Sequence, residues 1–245
     1  MSLNSAKVRI FVDKNLKVDS FIELNAEQSR YVFNVMRLKL GQNLFVIDGV
    51  SGEYLGKILS KKGKFGSLQL IEKIRDVVKP PDLWLMFAPV KRSRTDIIIE
   101  KATELGVRSI RPIYTERTNS RLFRPKRMRS IMKEALEQCG GTFLPSLEEP
   151  VGIENMLKFW PHDRSLIYCD ETLAEKVAAQ KNTDLSYCNP AGILIGPEGG
   201  FSKSEAEKIY RIPKVKSVCL GPRILRADTA AISAISLWQH SNGDW

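Results

Sequence analysis

The chain has 245 residues, of which 38 are Lys or Arg and 28 are Asp or Glu, for a formal charge of +10. With 43% hydrophobic and 27% charged residues, it is too apolar for a disordered chain, and no apolar run nears the roughly 20 residues of a membrane helix. Cys139, Cys169, Cys188 and Cys219 show no C-x-x-C spacing and His162 and His240 are the only histidines, so a zinc site, a disulfide framework and a Cys–His catalytic pair are poorly supplied.

The first segment, MSLNSAKVRIFVD, has no apolar core of a signal peptide, so a cytoplasmic protein is expected. Val8–Val12 reads as a short strand. Asn25, with Gln28 three residues on, predicts a capped helix carrying Tyr31, Val32, Val35, Met36 and Leu38 at helical spacing. Further strands are predicted at 43–49, 53–59 and 67–74. Together they predict a small β-barrel-like module. Two prolines in K79-P-P-D82 resist both helix and sheet and mark its end. The expected domains are therefore 1–77 and 78–245.

Beyond that boundary, strands and helices alternate. Strands are predicted at 83–88, 109–114, 165–169, 192–195 and 215–220. Helices are predicted at 96–105 with a cap at Ser93 or Thr95, at 126–138, near 173–180, from Ser202 through Tyr210, and from Thr229 to about Gln239. Buried strands alternating with helices predict a parallel α/β sheet.

The charge is uneven. Residues 1–79 carry 14 basic and 8 acidic side chains, 91–133 carry 13 and 4, and 134–245 carry 11 and 15. The densest basic run is R121-L-F-R-P-K-R-M-R129. Such clustering suits a polyanion, because each phosphate contact releases counterions. A solvated basic face is the alternative.

Two loops look chemical. G196-P-E-G-G200 follows a strand and precedes the helix capped by Ser202 and Glu205. In an open parallel sheet, ligands bind beyond the carboxyl ends of the strands. The loop lacks the fingerprints of a dinucleotide or triphosphate cradle, which weighs against a dehydrogenase; a tight strand–helix turn would look similar. The second loop, L220-G-P-R-I-L-R-A-D-T-A230, carries Arg223 and Arg226 and places Asp228 at an expected helix cap. Both loops are expected to face one crevice.

Taken together, I-G-P-E-G-G-F-S-x-x-E and the later L-G-x-R-I-L-R-x-D-T-A resemble the bacterial 16S ribosomal RNA uridine-N3 methyltransferases. R9-I-F-V12, V35-M-R-L-K-L-G41, K101-A-T-E-L-G-V107, T115-E-R-T118 and E134-A-L-E-Q-C-G140 are similar to other stretches of that family. The resemblance implies a knotted parallel-sheet (SPOUT-like) methyltransferase domain behind a small N-terminal PUA-like β-barrel domain. It implies a homodimer that uses S-adenosylmethionine, without metal or membrane, to methylate N3 of a uridine in 16S ribosomal RNA, within the small ribosomal subunit. Ile195, Gly196, Gly200, Leu220, Gly221, Ile224, Leu225 and Arg226 are implied to surround the cofactor, largely through backbone groups.

Arg226 is expected to neutralise a uracil oxygen as N3 loses its proton, and Asp228 to be the base or its orienting partner. Arg9, Arg37, Arg117, Arg124, Lys126 and Arg127 are the expected RNA contacts, and Glu198 is expected to tie its loop. The chain departs from the family in having Asp228 for Glu, Gly141 for Arg and Arg30 for His. A non-catalytic RNA-binding assembly factor on the same fold is the alternative function, although it should have lost the intact second loop. A ribose 2′-O methyltransferase is disfavoured by the lack of an early Asn-x-x-Gly-x-x-x-Arg motif.

Overall fold

The computed structural model describes residues 7–119, 123–173, 185 and 187–245. They fall into two compact units. One is the chain up to Lys79 together with Lys133–Leu144, and the other is Pro80–Met132 with Pro145–Trp245.

The first unit is a mixed five-stranded sheet. Its strands are β1 (Arg9–Phe11), β2 (Phe21–Leu24), β3 (Asn43–Ile47), β4 (Glu53–Lys62) and β5 (Phe65–Arg75), ordered β1-β3-β4-β5-β2. Only β1 and β3 run parallel. The sheet curls round a core that includes Ile10, Leu24, Leu44, Val46, Leu68 and Leu70. β2 is absent from the sequence reading; its four residues alternate exposed and buried, too short a run to stand out. Asn25 and Gln28 form the expected capping box at α1 (Ala26–Arg30). The helix then widens into a π-helical turn, Tyr31–Val35. That turn buries the consecutive Val32 and Phe33 and leaves Val35 and Met36 exposed, against the expected helical spacing.

Residues 133–144 belong to this unit for identifiable reasons. Leu136 packs with Phe11, Ile47 and Leu144. The Phe11 amide donates to Glu137 Oε1 at 2.6 Å. Arg9 donates to Glu53 Oε1 at 2.6 Å and to the Glu137 carbonyl at 3.0 Å. Arg75 donates to the other Glu53 oxygen at 2.8 Å. Glu53 is buried, so its charge needs these partners. Arg9, expected at RNA, is thus a structural cation that neutralises an interior carboxylate. Gly141 is also structural, since a Cβ there would press on Leu136.

Burial pushes the Glu137 carboxyl up to about 7, while the Phe11 amide pulls the other way. Glu134, Glu27 and Arg9 are the charges that act on it. The folded value exceeds the unfolded one, so its contribution is full below the unfolded value and fades as pH rises through about 7. Glu137→Gln keeps an acceptor for Phe11 and cannot ionise. The wild-type melting temperature should fall relative to that variant between about pH 5 and 8; parallel melting curves would show that Glu137 does not titrate there.

The second unit is built on a sheet in which every pairing is parallel. Its strands are β6 (Leu83–Phe87), β7 (Ser109–Tyr114), β8 (Ser146–Leu147), β9 (Val151–Gly152), β10 (Ser165–Cys169), β11 (Ala191–Ile195) and β12 (Val215–Val218). The order is β12-β10-β11-β6-β7-β8, with β9 also on β7. β10 and β11 are buried at every position, as strands covered on both faces must be. The helices are α2 (Arg92–Glu104), α3 (Pro125–Cys139), α4 (Ile153–Lys158), α5 (Lys203–Tyr210) and α6 (Ala227–Asn242); the second half of α3 counts with the first unit.

The predicted capping box of Ser202 and Glu205 opens α5. α2 instead starts at Arg92 without a side-chain cap. Thr95 lies within it, its hydroxyl 3.1 Å from both the amide and the carbonyl of Val90. Of the helix predicted near 173–180, Glu171–Leu173 forms a 3-10 turn and the rest lies outside the described residues. α6 packs on α2. It is anchored by Trp238 donating to the Cys188 carbonyl at 2.6 Å and Gln239 to the Leu105 carbonyl at 2.6 Å.

Candidate active site

Because the strands are parallel, the loops after β10, β11 and β12 emerge at one edge. β10 lies between the other two, so the two chemical loops flank a third, Asp170–Glu171. The loops enclose a cavity of about 190 Å³. Of the residues expected at a cofactor, Ile195, Gly196, Leu220, Gly221, Ile224, Leu225 and Arg226 line it. Gly200 does not. It has φ +66°, and a Cβ there would collide with the carboxylate of Glu171, which does line the cavity. Gly221 has φ +106° with open space around its missing side chain.

Among the described residues, neither the amides nor the carbonyls of Leu220, Ile224 and Leu225 have a hydrogen-bond partner. Ile224 is exposed and Leu220 and Leu225 are half-buried, so these peptide groups stay open to solvent and to whatever occupies the cavity. The start of α6 adds to them. Its N-cap is Arg226, which offers no side-chain cap, so first-turn amides stay open beside Ala227 and Ala230 in the cavity wall.

Asp228 is not the cap it was expected to be. It sits inside the first turn of α6, and Arg94 Nη1 donates to its two oxygens at 3.0 and 3.2 Å. It is also absent from the cavity lining. That geometry suits an orienting carboxylate better than a base. Arg94 escapes a sequence reading because nothing in K91-R-S-R-T-D96 links it to a loop 134 residues away. Arg226 itself is exposed at the cavity, and no partner for its guanidinium is found among the described residues.

Asp170 and Glu171 escape it too. Their signal is a pair of acids just after a strand whose residues, Ser165 apart, are apolar or aromatic. Asp170 accepts from Tyr210 at 2.6 Å and from the Thr172 hydroxyl at 2.7 Å, so it fastens the edge, whereas Glu171 is exposed to the cavity. Among the described residues no hydrogen bond from Glu198 ties its loop. Arg117 does, donating to the Gly199 carbonyl at 2.7 Å, and the Gly200 amide donates to the Pro197 carbonyl at 2.9 Å. Burial pushes the Cys169 thiol up to about 12, so this cavity residue is no thiolate nucleophile.

Of the remaining cations, Arg127 pairs with Asp96 at 2.6 Å, while Arg124, Lys126 and Arg37 are at least partly exposed. His162 and His240 are exposed as well. Among the described residues no cluster of three metal-ligating side chains occurs and no helix is long and apolar enough to cross a membrane.

Comparison with known proteins points the same way. Residues 78–239 match an RNA methyltransferase domain and residues 24–70 an RNA methyltransferase PUA domain. The chain is 31% identical over 229 residues to the ribosomal RNA small subunit methyltransferase E of Rickettsia conorii, covering 93% of each chain. It is 28% identical to that of Buchnera aphidicola from Acyrthosiphon pisum, covering 97% of this chain and 94% of the other. Among solved structures it is similar to the Neisseria gonorrhoeae ribosomal RNA small subunit methyltransferase E bound to S-adenosyl methionine (TM-score 0.82, 25% identity, 97% and 99% coverage). It is equally similar in fold to a methyltransferase from Legionella pneumophila with bound SAM (TM-score 0.82, 27% identity, 97% and 99% coverage).

Proposed function

The chain belongs to the ribosomal RNA small subunit methyltransferase E family of RNA methyltransferases, and we propose that it methylates N3 of a uridine in the decoding region of 16S ribosomal RNA. It is a SPOUT-like parallel-sheet methyltransferase with a PUA-like N-terminal module. We assign RNA binding to residues 1–77 and catalysis to residues 78–245, acting as a homodimer on the small ribosomal subunit in the cytoplasm.

The observation that carries the reading is the row of open backbone groups at Leu220, Ile224 and Leu225 beside the start of α6. A cavity edged by peptide donors and acceptors, by Gly221 and by the acceptor-only carboxylate of Glu171 fits S-adenosylmethionine, whose amino-acid, ribose and adenine parts offer complementary groups. Those residues, with Ile195, Gly196 and Arg226, would hold it. Bound there, S-adenosylmethionine supplies an activated methyl group on a sulfonium.

The protein's own task is to orient uracil N3 and ease the loss of its proton as the N–C bond forms. Arg226, exposed at the cavity, stabilises the negative charge that develops on a neighbouring uracil oxygen. Asp228, held by Arg94, positions the first turn of α6 and so the arginine two residues before it. Arg37, Arg124 and Lys126 are assigned to phosphates. Arg117 and Arg127, already bonded within the protein, add to the positive charge that attracts RNA.

The test is to map N3-methyluridine in 16S ribosomal RNA from cells with and without the protein. Loss of one N3-methyluridine is expected, returning when the chain is restored. Its persistence in the deletion strain overturns the reading.

A further inference from the structure

A second concavity lies in the N-terminal unit. Its volume is about 450 Å³, within the range of about 300–1,000 Å³ typical of small-molecule pockets. Two elements build it. α1 and the π-helical turn contribute Arg30, Phe33 and Asn34, and the β4–β5 hairpin contributes Lys61 and Lys64. Three of these are cations, and among the described residues no acidic side chain lines the pocket.

The cations are available. Among the described residues, Arg30, Lys61 and Lys64 make no ion pair, and the side-chain amide of Asn34 has no hydrogen-bond partner. Lys61 Nζ stands 5.1 Å from the centre of the Phe33 ring, so the ring forms an aromatic wall under a positive charge. The wall follows from the π-helical turn, which brings Phe33 onto the sheet while leaving Asn34 outward. π-helical turns mark functional sites more often than their rarity suggests. Like charges gathered in a concave site without counter-charges call for an anion, and the aromatic wall and open amide call for more than a bare one.

We propose that this pocket binds one nucleotide of an RNA strand, its phosphate held by Arg30, Lys61 and Lys64 and its sugar or base set against Phe33 and Asn34. The inference rests on the RNA-methyltransferase reading and adds a binding point that none of the sequence-derived RNA residues supplies. It also gives a role to the departure at position 30. Arginine is charged at every physiological pH, whereas a histidine, with an ordinary value of about 6.5, is largely neutral above pH 7. This chain therefore holds RNA at that point independently of pH.

The full-length protein would be titrated with a fluorescent ten-nucleotide oligouridine over a range of salt concentrations. Lys61→Glu/Lys64→Glu should weaken binding at least about tenfold. It should also lower the slope of log affinity against log salt by about 0.7, the contribution of the one phosphate of a single strand that the pocket neutralises. S-adenosylmethionine affinity and the thermal unfolding curve should both stay unchanged, which shows that the second unit and the first, which carries the two lysines, fold. Arg30→His should make RNA affinity fall between about pH 6 and 8, where the wild type stays flat.

An unchanged salt slope in the double variant, with wild-type RNA binding intact, overturns the pocket and leaves the methyltransferase reading standing. Failure of the wild type to bind any RNA while it binds S-adenosylmethionine would count against both. Binding of phosphatidylserine vesicles by the wild type but not the double variant, without an RNA effect, overturns the nucleotide assignment in favour of a membrane surface.

Discussion

Replacing Arg226 with Ala is expected to lower kcat about 100- to 1,000-fold, the usual cost of losing one donor to a developing oxyanion, while S-adenosylmethionine binds as before. The two effects separate because Arg226 plays two parts. Its backbone caps α6, with the carbonyl accepting from the Ala230 amide at 2.8 Å. Alanine at this position keeps that bond. The side chain makes no capping bond and stands exposed at the cavity, so its removal leaves the peptide groups of Leu220, Ile224 and Leu225 in place. Single-turnover methylation of ribosomal RNA, beside calorimetry with the cofactor, measures both. Turnover near wild type would remove Arg226 from the chemistry, and loss of cofactor binding would make it a ligand instead.

Gly200→Ala should act on the other side of the site and weaken S-adenosylmethionine by at least about tenfold. An L-residue in the left-handed conformation costs about 1–2 kcal/mol, and Gly200 has φ +66°. The added methyl would also meet the Glu171 carboxylate, which lines the cavity, and push it out of position. A double variant with Glu171→Ala separates the causes, because it relieves the collision but not the backbone strain. Partial recovery of stability, without recovery of affinity, is expected if Glu171 also contacts the cofactor. Unaltered affinity in the single variant would mean that the 196–200 turn does not shape the site.

Much of this is legible in the sequence, for local reasons. The capping boxes at Asn25 and Ser202 need only four residues each. The strands β6, β10 and β11, apolar but for Ser165, announce a sheet covered on both faces. Most residues expected at the cofactor do line one cavity, because a parallel sheet sends its strand ends to one edge. The departures have physical causes too. Asp228 reads as a cap from its place after R-I-L-R-A, but the helix begins earlier, at Ala227, and the carboxylate turns to Arg94. Arg9 reads as surface charge because Glu53 and Glu137 are 44 and 128 residues from it. Val35 and Met36 read as core because a π-helical turn changes which residues face inward.

By itself, then, the sequence determined most of the longer elements, though not β2, β8, β9 or α4, together with the parallel α/β class, the two loops and their family resemblance, since propensity, capping and strand burial act over a few residues. Only the tertiary structure decided which charges are free to meet RNA and which neutralise one another. Arg9 and Arg94 became structural, while Arg30, Lys61 and Lys64 came together round Phe33. The reason is that a charge takes its role from what lies within a few ångströms, and that distance is set by folding, not by position along the chain.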